Sequence, residues 1–156
     1  MKPTTLLKHH QVSSTLEVRE NTQTGYHSMF AAQNLKATTV LSKFGYETKL
    51  TIPSRFSVQI NETEHITLKP QYLQYINHSC NPNVFFDTQK MQIEVLRDIR
   101  EGEEICFFYP STEWKMTESF DCSCKSERCL GKIQGAAYLT SNQIEKYRLS
   151  EYILQK

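Results

Sequence analysis

Short runs of β-branched and aromatic residues, separated by polar segments, recur along most of the chain. Such runs are typical of β-strands of ordinary length. Seven of them fit this description: LEVRE (16–20), TTVLSKF (38–44), FSVQI (56–60), HITLK (65–69), NVFFD (83–87), MQIEVL (91–96) and EEICFFY (103–109). The polar segment DTQK (87–90) is expected to join two of these strands as a hairpin. The pattern therefore predicts a mainly β fold built from several short, curled sheets.

The pattern changes close to the C-terminus. The sequence TSNQ resembles a capping box, with Thr140 as the N-cap and Gln143 at the third helical position, and Ile144 and Tyr147 follow it. We therefore expect one or two short helices at the end of the chain.

Length and composition favour one compact domain. The chain has 156 residues, of which 38% are hydrophobic and 11% aromatic, and this is enough to bury a core. With 18 basic and 17 acidic residues, the formal net charge of +1 provides no field that would attract nucleic acid or an anionic membrane. No direct nucleic-acid partner and no membrane are predicted.

No segment has the pattern of a targeting or membrane-spanning sequence. The N-terminal stretch MKPTTLLKHHQVSST lacks the continuous apolar core of a signal peptide, and no later run of about eighteen apolar residues could span a bilayer. An intracellular protein, cytoplasmic or nuclear, is expected. Five cysteines, an odd number, also fit a fully paired secreted disulfide framework poorly.

Three of the cysteines form a tight cluster. Cys122, Cys124 and Cys129 are spaced Cys-x-Cys-x4-Cys in DCSCKSERCLG, with little apolar sequence between them. Structural zinc is held by four ligands in a closed tetrahedral site, so three thiolates require a fourth ligand from elsewhere. The alternative, that the cysteines are unlinked, is less favoured by this spacing.

The fourth ligand has two cysteine candidates. Cys106 is flanked by Ile105 and Phe107 in an apolar run, where a small buried thiol is the ordinary outcome. Cys80, in the polar loop YINHSCNPN (75–83), is therefore preferred. His78 is a further possible ligand, although it would crowd Cys80 two residues away.

Three motifs, taken together, resemble one protein family. NHSCNPN (77–83), REGEEICFFY (100–109) and CSCKSERC (122–129) occur in this order and close together. The chain resembles a SET-domain protein lysine methyltransferase with a C-terminal zinc-binding post-SET segment, over roughly residues 16–135. The resemblance implies a SET-like domain at 1–120, a post-SET segment at 121–135 and a helical tail at 136–156.

The resemblance also implies a fold and an activity. Short sheets would surround a pseudoknot that includes the NHSC segment. S-adenosylmethionine would bind on one face, and a lysine of a protein substrate, histone or non-histone, would enter from the other face through a narrow channel. Cofactors would be S-adenosylmethionine and structural Zn²⁺, and the product would be methylated lysine.

Several residues acquire roles through this resemblance. Asn77 and His78 would contact the cofactor, His78 largely through its backbone, while Cys80 would point to zinc and tie the cofactor loop to the tail. Tyr109 matches the catalytic tyrosine, which orients the amine. Phe107 occupies the position where Phe or Tyr sets how many methyl groups fit, and Phe predicts di- or trimethylation.

The remaining cofactor contacts match the family less closely. Tyr75 and Ile133 are expected at the cofactor site, although either could instead belong to the core. The family has Gly-x-Gly near its first strands, where glycines let the backbone approach the cofactor. This chain reads TGYHSMFAA (24–32), with Ser28 in place of the second glycine, Met29 next to it and Gly25 displaced by one residue.

Three functions of different classes follow. The first is an S-adenosylmethionine-dependent lysine methyltransferase, supported by the presence of Asn77, His78, Phe107 and Tyr109. The second is a non-catalytic SET-like zinc-binding interaction module, for which the altered Gly-x-Gly segment is the argument. The third, a small zinc-bearing nucleic-acid binder, is disfavoured because a net charge of +1 provides no basic surface.

Overall fold

The fold consists of small β-sheets and short helices. The structure is a computed structural model and describes residues 7–156, so the first six residues of the predicted SET-like segment lie outside the described residues. Within this range there are thirteen strands in five sheets. The strands are β1 (Leu7–Gln11), β2 (Leu16–Asn21), β3 (His27–Ala31), β4 (Val40–Lys43), β5 (Gly45–Leu50), β6 (Val58–Gln59), β7 (His65–Lys69), β8 (Asn77–His78), β9 (Val84–Asp87), β10 (Gln92–Val95), β11 (Cys106–Phe107), β12 (Phe120–Asp121) and β13 (Lys132–Ile133).

The helices are short. Three 3-10 helices span Gln71–Tyr75, Tyr109–Ser111 and Ala136–Tyr138, and two α-helices follow, α1 (Ser141–Glu145) and α2 (Glu151–Leu154). The capping box predicted at Thr140 is present, because its side chain accepts a hydrogen bond from the Gln143 N–H and the Gln143 side chain accepts one from the Thr140 N–H. Ser150 caps α2 in a similar way, through a bond from the Ile153 N–H. No helix within residues 7–156 combines the length and apolar character that crossing a bilayer requires.

The predicted mainly β fold of small sheets is confirmed. Three antiparallel sheets have the orders β1-β2-β3, β4-β10-β9 and β5-β7-β6, and two further sheets are the pairs β11-β8 and β12-β13. The predicted hairpin at DTQK joins β9 to β10, and the Asp87 carboxylate stabilises its turn by accepting bonds from the N–H groups of Gln89 and Lys90. Register is fixed by buried side chains such as Phe86 and Ile93, which face each other across this pair.

The parallel pair β8–β11 joins two motifs that are distant in the sequence. Asn77 lies opposite Cys106, and His78 lies opposite Phe107. The buried Asn83 extends this pairing with its side chain, which donates to the Glu104 carbonyl (2.9 Å) and accepts from the Cys106 N–H (2.9 Å). An amide side chain thus satisfies backbone groups that a longer ladder would otherwise pair.

The segment around β11 separates two hydrophobic cores. Phe107 belongs to the main core, where it packs on Phe86, and the next residue, Phe108, belongs to a second core formed with Ala136, Leu149 and Ile153. Successive side chains of an extended segment point to opposite sides, which explains the division. The C-terminal tail therefore packs directly behind the strand that leads to Tyr109.

Candidate active site and metal centre

One cleft is lined by four of the residues for which a catalytic or cofactor-binding role is predicted. Its volume is about 870 Å³, which lies within the range of small-molecule sites. Asn77 and His78 of β8, Phe107 of β11 and Tyr109 all line it. The parallel pairing of β8 with β11 accounts for this, since it places the two motifs side by side.

Tyr109 begins the 3-10 helix that follows β11. Its backbone N–H donates to Nδ1 of His78 (3.1 Å), and its ring lies 4.8 Å from that of Phe107 and 5.9 Å from that of Phe120, centroid to centroid. Burial raises the pKa of the Tyr109 hydroxyl to about 12. At neutral pH this hydroxyl is therefore protonated and can donate or accept a hydrogen bond, but it is not a base.

His78 is a neutral structural link in this site. Burial lowers the pKa of His78 to about 4. Because Nδ1 accepts the hydrogen bond from the Tyr109 N–H, the proton of the neutral ring belongs on Nε2, which lies 3.4 Å from Sγ of Cys80. The imidazole thus occupies the space between the candidate catalytic tyrosine and the cysteine cluster.

Asn77 connects the cleft to β3. Its amide donates to the His27 carbonyl (2.9 Å) and lies 3.3 Å from the Ser28 hydroxyl. The side chain that replaces the family's second glycine is therefore in contact with a predicted cofactor residue. Gly25 lies in the exposed turn before β3 with φ +75°.

None of the four weaker candidates lines the cleft, and Ser28 reaches it only through its contact with Asn77. Met29 is fully buried in the main core, with its carbonyl accepting from the Ile105 N–H (2.8 Å). Tyr75 stacks on His27 at 4.4 Å between ring centroids. Ile133 is buried at a separate pocket of about 220 Å³ that Leu139 also lines. Their contact with a cofactor stays a prediction.

The four selected cysteines meet at one point. The Sγ atoms of Cys80, Cys122, Cys124 and Cys129 all lie within 4.8 Å of one another, and those of Cys80 and Cys122 are 3.9 Å apart. Zinc bound tetrahedrally at about 2.3 Å from each sulfur separates its ligands by about 3.8 Å. The cluster therefore has the size and donor set of a four-cysteine zinc site, and the buried Cys106 is not a member of it.

The surroundings of the cluster favour metal-bound thiolate. The Leu130 N–H points at Sγ of Cys80 (3.4 Å), and the Cys124 N–H points at Sγ of Cys122 (3.4 Å). Such hydrogen bonds stabilise sulfur that carries negative charge. Burial raises the pKa of the Cys80 thiol, so its ionisation requires a nearby cation such as zinc.

The C-terminal tail braces the cluster through Tyr147, a role that sequence reasoning missed. The Tyr147 hydroxyl donates to the Cys80 carbonyl (2.7 Å), and its ring stacks on Phe108 at 3.7 Å with 5° between the planes. The Arg128 guanidinium lies over the same ring at 4.7 Å, next in sequence to Cys129. One side chain thus joins the NHSC loop, the strand before Tyr109 and the cysteine segment.

Removing the Tyr147 hydroxyl should have a measurable effect on stability. Tyr147→Phe keeps the stack and loses the bond to the Cys80 carbonyl, so the free energy of unfolding is expected to fall by about 1 kcal/mol in urea denaturation. The matched control Tyr138→Phe removes an exposed hydroxyl and should stay within about 0.5 kcal/mol of the wild type. Equal losses in both variants would mean that the tail does not brace the loop through this bond.

Comparison with known proteins identifies relatives of the same type. The SET domain family model matches residues 26–110. Methyltransferase flvH of Aspergillus flavus is 41% identical over 83 residues, which are 52% of this chain and 47% of that protein. A histone-lysine N-methyltransferase of Gibberella zeae, H3 lysine-36 specific, is 32% identical over 88 residues. The match covers 51% of this chain and 9% of that protein.

A solved structure shows the same fold. KRYPTONITE in complex with mCHH DNA, H3(1-15) peptide and SAH superposes with a TM-score of 0.57 at 17% identity, over 75% of this chain and 29% of that one. The chain spans about half the length of flvH and a smaller share of the other two proteins. The cysteine segment and the C-terminal tail lie beyond the residues that the family model matches.

Proposed function

Because the chain belongs to the SET domain family, we propose that it transfers methyl groups from S-adenosylmethionine to lysine side chains of a protein. The observation that carries this proposal is the β8–β11 pairing, which places Tyr109 and Phe107 in one cleft with Asn77 and His78. The four-cysteine cluster is proposed to hold structural zinc.

The reaction requires positioning more than acid–base chemistry. In the proposed reaction a neutral lysine amine would displace the methyl group of S-adenosylmethionine, so that the N–C bond forms as the C–S bond breaks and S-adenosylhomocysteine leaves. No covalent enzyme intermediate is needed once the amine is positioned. The amine starts with a pKa of about 10.4 and must lose a proton, which an apolar channel encourages. Tyr109, protonated at neutral pH, is proposed to orient the amine through its hydroxyl, while the rings of Phe107 and Phe120 exclude water.

The cofactor contacts are proposals of unequal support. Asn77 and His78 are supported by their place in the cleft, and Ser28 by its contact with Asn77. Met29, Tyr75 and Ile133 rest on the resemblance alone. When bound, S-adenosylmethionine supplies the methyl group; the chain supplies the orientation of the acceptor amine.

A histone is the first substrate to test. The Gibberella zeae relative is described as H3 lysine-36 specific, and the KRYPTONITE structure contains an H3(1-15) peptide. We therefore propose a histone lysine as the substrate and the nucleus as the place of action. Non-histone proteins are the alternative substrates.

The function is tested by incubating the purified protein with methyl-labelled S-adenosylmethionine, core histones and a whole-cell lysate. Label is expected on lysine in a histone band. Calorimetric titration with S-adenosylmethionine in parallel separates the enzyme from a non-catalytic module that binds no cofactor. Cofactor binding without label on any protein would overturn the proposed activity.

The product state is expected to depend on Phe107. Its ring is 7% exposed and packs between those of Phe86 and Tyr109, so the amine would meet no hydroxyl there, and a methylated amine can rotate and react again. Phe107→Tyr adds a hydrogen bond worth about 1 kcal/mol, which shifts the partition towards monomethyl-lysine about fivefold.

Mass spectrometry of the product at long times with excess cofactor measures this partition. The wild type is expected to reach di- or trimethyl-lysine. A wild-type reaction that stops at monomethyl-lysine, or the same product distribution in the variant, would assign Phe107 to the core alone.

A further inference from the structure

Glu113 places a carboxylate in the cleft with no basic partner among residues 7–156. It is half-buried and lines the cleft, and its Oε2 accepts bonds from the Thr112 hydroxyl (2.6 Å) and from the Gln59 N–H (3.1 Å). Its Oε1 accepts no hydrogen bond from residues 7–156, and no basic side chain in that range lies within ion-pair distance. One oxygen is thus held by the protein, and the other has no hydrogen-bond partner among the described residues.

The carboxylate is held next to the candidate catalytic residue. The Glu113 N–H donates to the Tyr109 carbonyl (3.1 Å), which places Glu113 one turn after Tyr109. Gln59 of β6 fixes the same segment a second time, because its side-chain oxygen accepts from the Trp114 N–H (2.9 Å). Glu113 is attached to β6, whereas Asn77 is attached to β3, so the carboxylate and the predicted cofactor residues are held by different sheets.

In the free protein, the loss of hydration of an ionised Glu113 carboxylate is not offset by a nearby cation. Burial raises the pKa of Glu113 to about 7, because the two hydrogen bonds on Oε2 do not replace the lost water. A cation brought by a ligand would compensate for this loss with a charge-assisted hydrogen bond. The group therefore favours a positively charged ligand.

The cation that would pair with Glu113 is a different group from the reacting lysine amine. The target lysine must be neutral when it attacks, and a carboxylate beside it would stabilise its protonated form. The balance of the cleft also favours a cationic substrate. Among the described residues that line it, four carry a carboxylate (Glu104, Glu113, Glu118 and Asp121) and one carries a guanidinium (Arg55), although the whole chain has a net charge of +1.

We propose that Glu113 is a specificity-determining residue that binds a second basic side chain of the substrate, a Lys or Arg close in sequence to the target lysine. This inference rests on the proposed function, because it assumes a peptide in the cleft. It goes further by assigning a substrate class: sites in which the target lysine has a basic neighbour.

The test uses fluorescein-labelled peptides with one central lysine in a Gln/Ser background. Arg, or the neutral isostere citrulline, is placed at each of the flanking positions in turn. Binding is measured by fluorescence anisotropy in the presence of S-adenosylhomocysteine (SAH). Methylation is measured by mass spectrometry in the presence of S-adenosylmethionine. A charge-assisted hydrogen bond is worth about 1.5–3 kcal/mol, so at the best position Arg should bind at least about tenfold more tightly than citrulline.

Glu113→Gln removes the charge and keeps an acceptor for the Gln59 N–H and the Thr112 hydroxyl. Its Arg-to-citrulline affinity ratio is expected to fall close to unity, with circular dichroism confirming that it folds. Glu145→Gln, at an exposed carboxylate of α1 outside the cleft, is the matched control and should keep the wild-type ratio.

The outcomes separate the inference from the proposed function. A wild-type ratio near unity at every position, a wild-type ratio retained in Glu113→Gln, or no binding of any peptide would overturn the inference. A preference for Arg that Glu113→Gln abolishes, with no methylation of any peptide, histone or lysate protein, would support the inference about peptide binding and overturn the proposed reaction.

Discussion

Tyr109→Phe is expected to lower the rate of methyl transfer by about 10²–10⁴-fold, the range typical of a positioned side chain that orients or exchanges protons with the reacting group. The substitution removes only a hydroxyl. The ring contacts with Phe107 and Phe120 remain, and so does the bond from the residue 109 N–H to His78, because it is a backbone bond. The fold and the cofactor affinity should therefore stay close to those of the wild type. Single-turnover kinetics and calorimetric titration with S-adenosylmethionine measure the two quantities.

The pH dependence distinguishes orientation from base catalysis. With a pKa of about 12, Tyr109 is protonated throughout the range from pH 7 to about 10. The wild-type rate should rise with pH as the substrate lysine loses its proton, without a decline below about pH 10 from ionisation of Tyr109. Tyr46→Phe, at an exposed tyrosine, is the matched control. Unchanged turnover in Tyr109→Phe would remove this residue from the mechanism.

The strands were predicted well where side-chain type and burial agree. Each of the seven predicted runs overlaps a strand, and HITLK (65–69) matches β7 over its whole length. The six strands that were not predicted are β1, β3, β5, β8, β12 and β13. In β1 every residue is exposed, and in β5 none is buried, so their sequences carry no buried apolar face from which a strand could be recognised.

Two strands are shorter than predicted, because side chains form hydrogen bonds with backbone groups that a longer strand pairing would use. EEICFFY (103–109) forms only the two residues of β11, because Asn83 satisfies the backbone on one side of this segment and Tyr109 already turns into a 3-10 helix. FSVQI (56–60) forms only β6, and the Glu113 carboxylate accepts the Gln59 N–H. These hydrogen bonds join residues 23 and 54 positions apart, which no local pattern reveals.

Residues of the candidate site could be predicted from the sequence only where they belong to a recognisable motif. The cysteine spacing predicted the cluster. The NHSC and GEEICFFY motifs predicted the residues that line the cleft together. Tyr147 and Glu113 were missed because their importance comes from partners that are distant in sequence, Cys80 and Gln59. A tyrosine near a capping box and a glutamate after a turn carry no signal of their own.

Zinc at the four-cysteine cluster would connect the NHSC loop, which lines the cleft, to the tail. Cys80 follows His78 by two residues, and the other three ligands belong to the segment that carries β12 and borders the cleft. Structural zinc in small domains contributes about 10–16 kcal/mol of apparent binding free energy, which is also folding free energy. Loss of the metal should therefore loosen residues after Asp121 and weaken cofactor binding before the sheets unfold, since the main core consists of residues outside this segment.

Cys80→Ser is expected to abolish zinc retention, and Cys106→Ser to keep a single zinc ion per chain, because Cys106 is buried apart from the cluster and the fourth thiolate closes the tetrahedral site. Native mass spectrometry measures the stoichiometry. In the wild type, chelation should speed tryptic cleavage at Lys125 and Arg128, two sites within the cysteine segment, while circular dichroism of the sheets changes little. Zinc loss in Cys106→Ser with retention in Cys80→Ser would reverse the assignment of the fourth ligand, and equal cleavage with and without chelator would show that the metal does not order the tail.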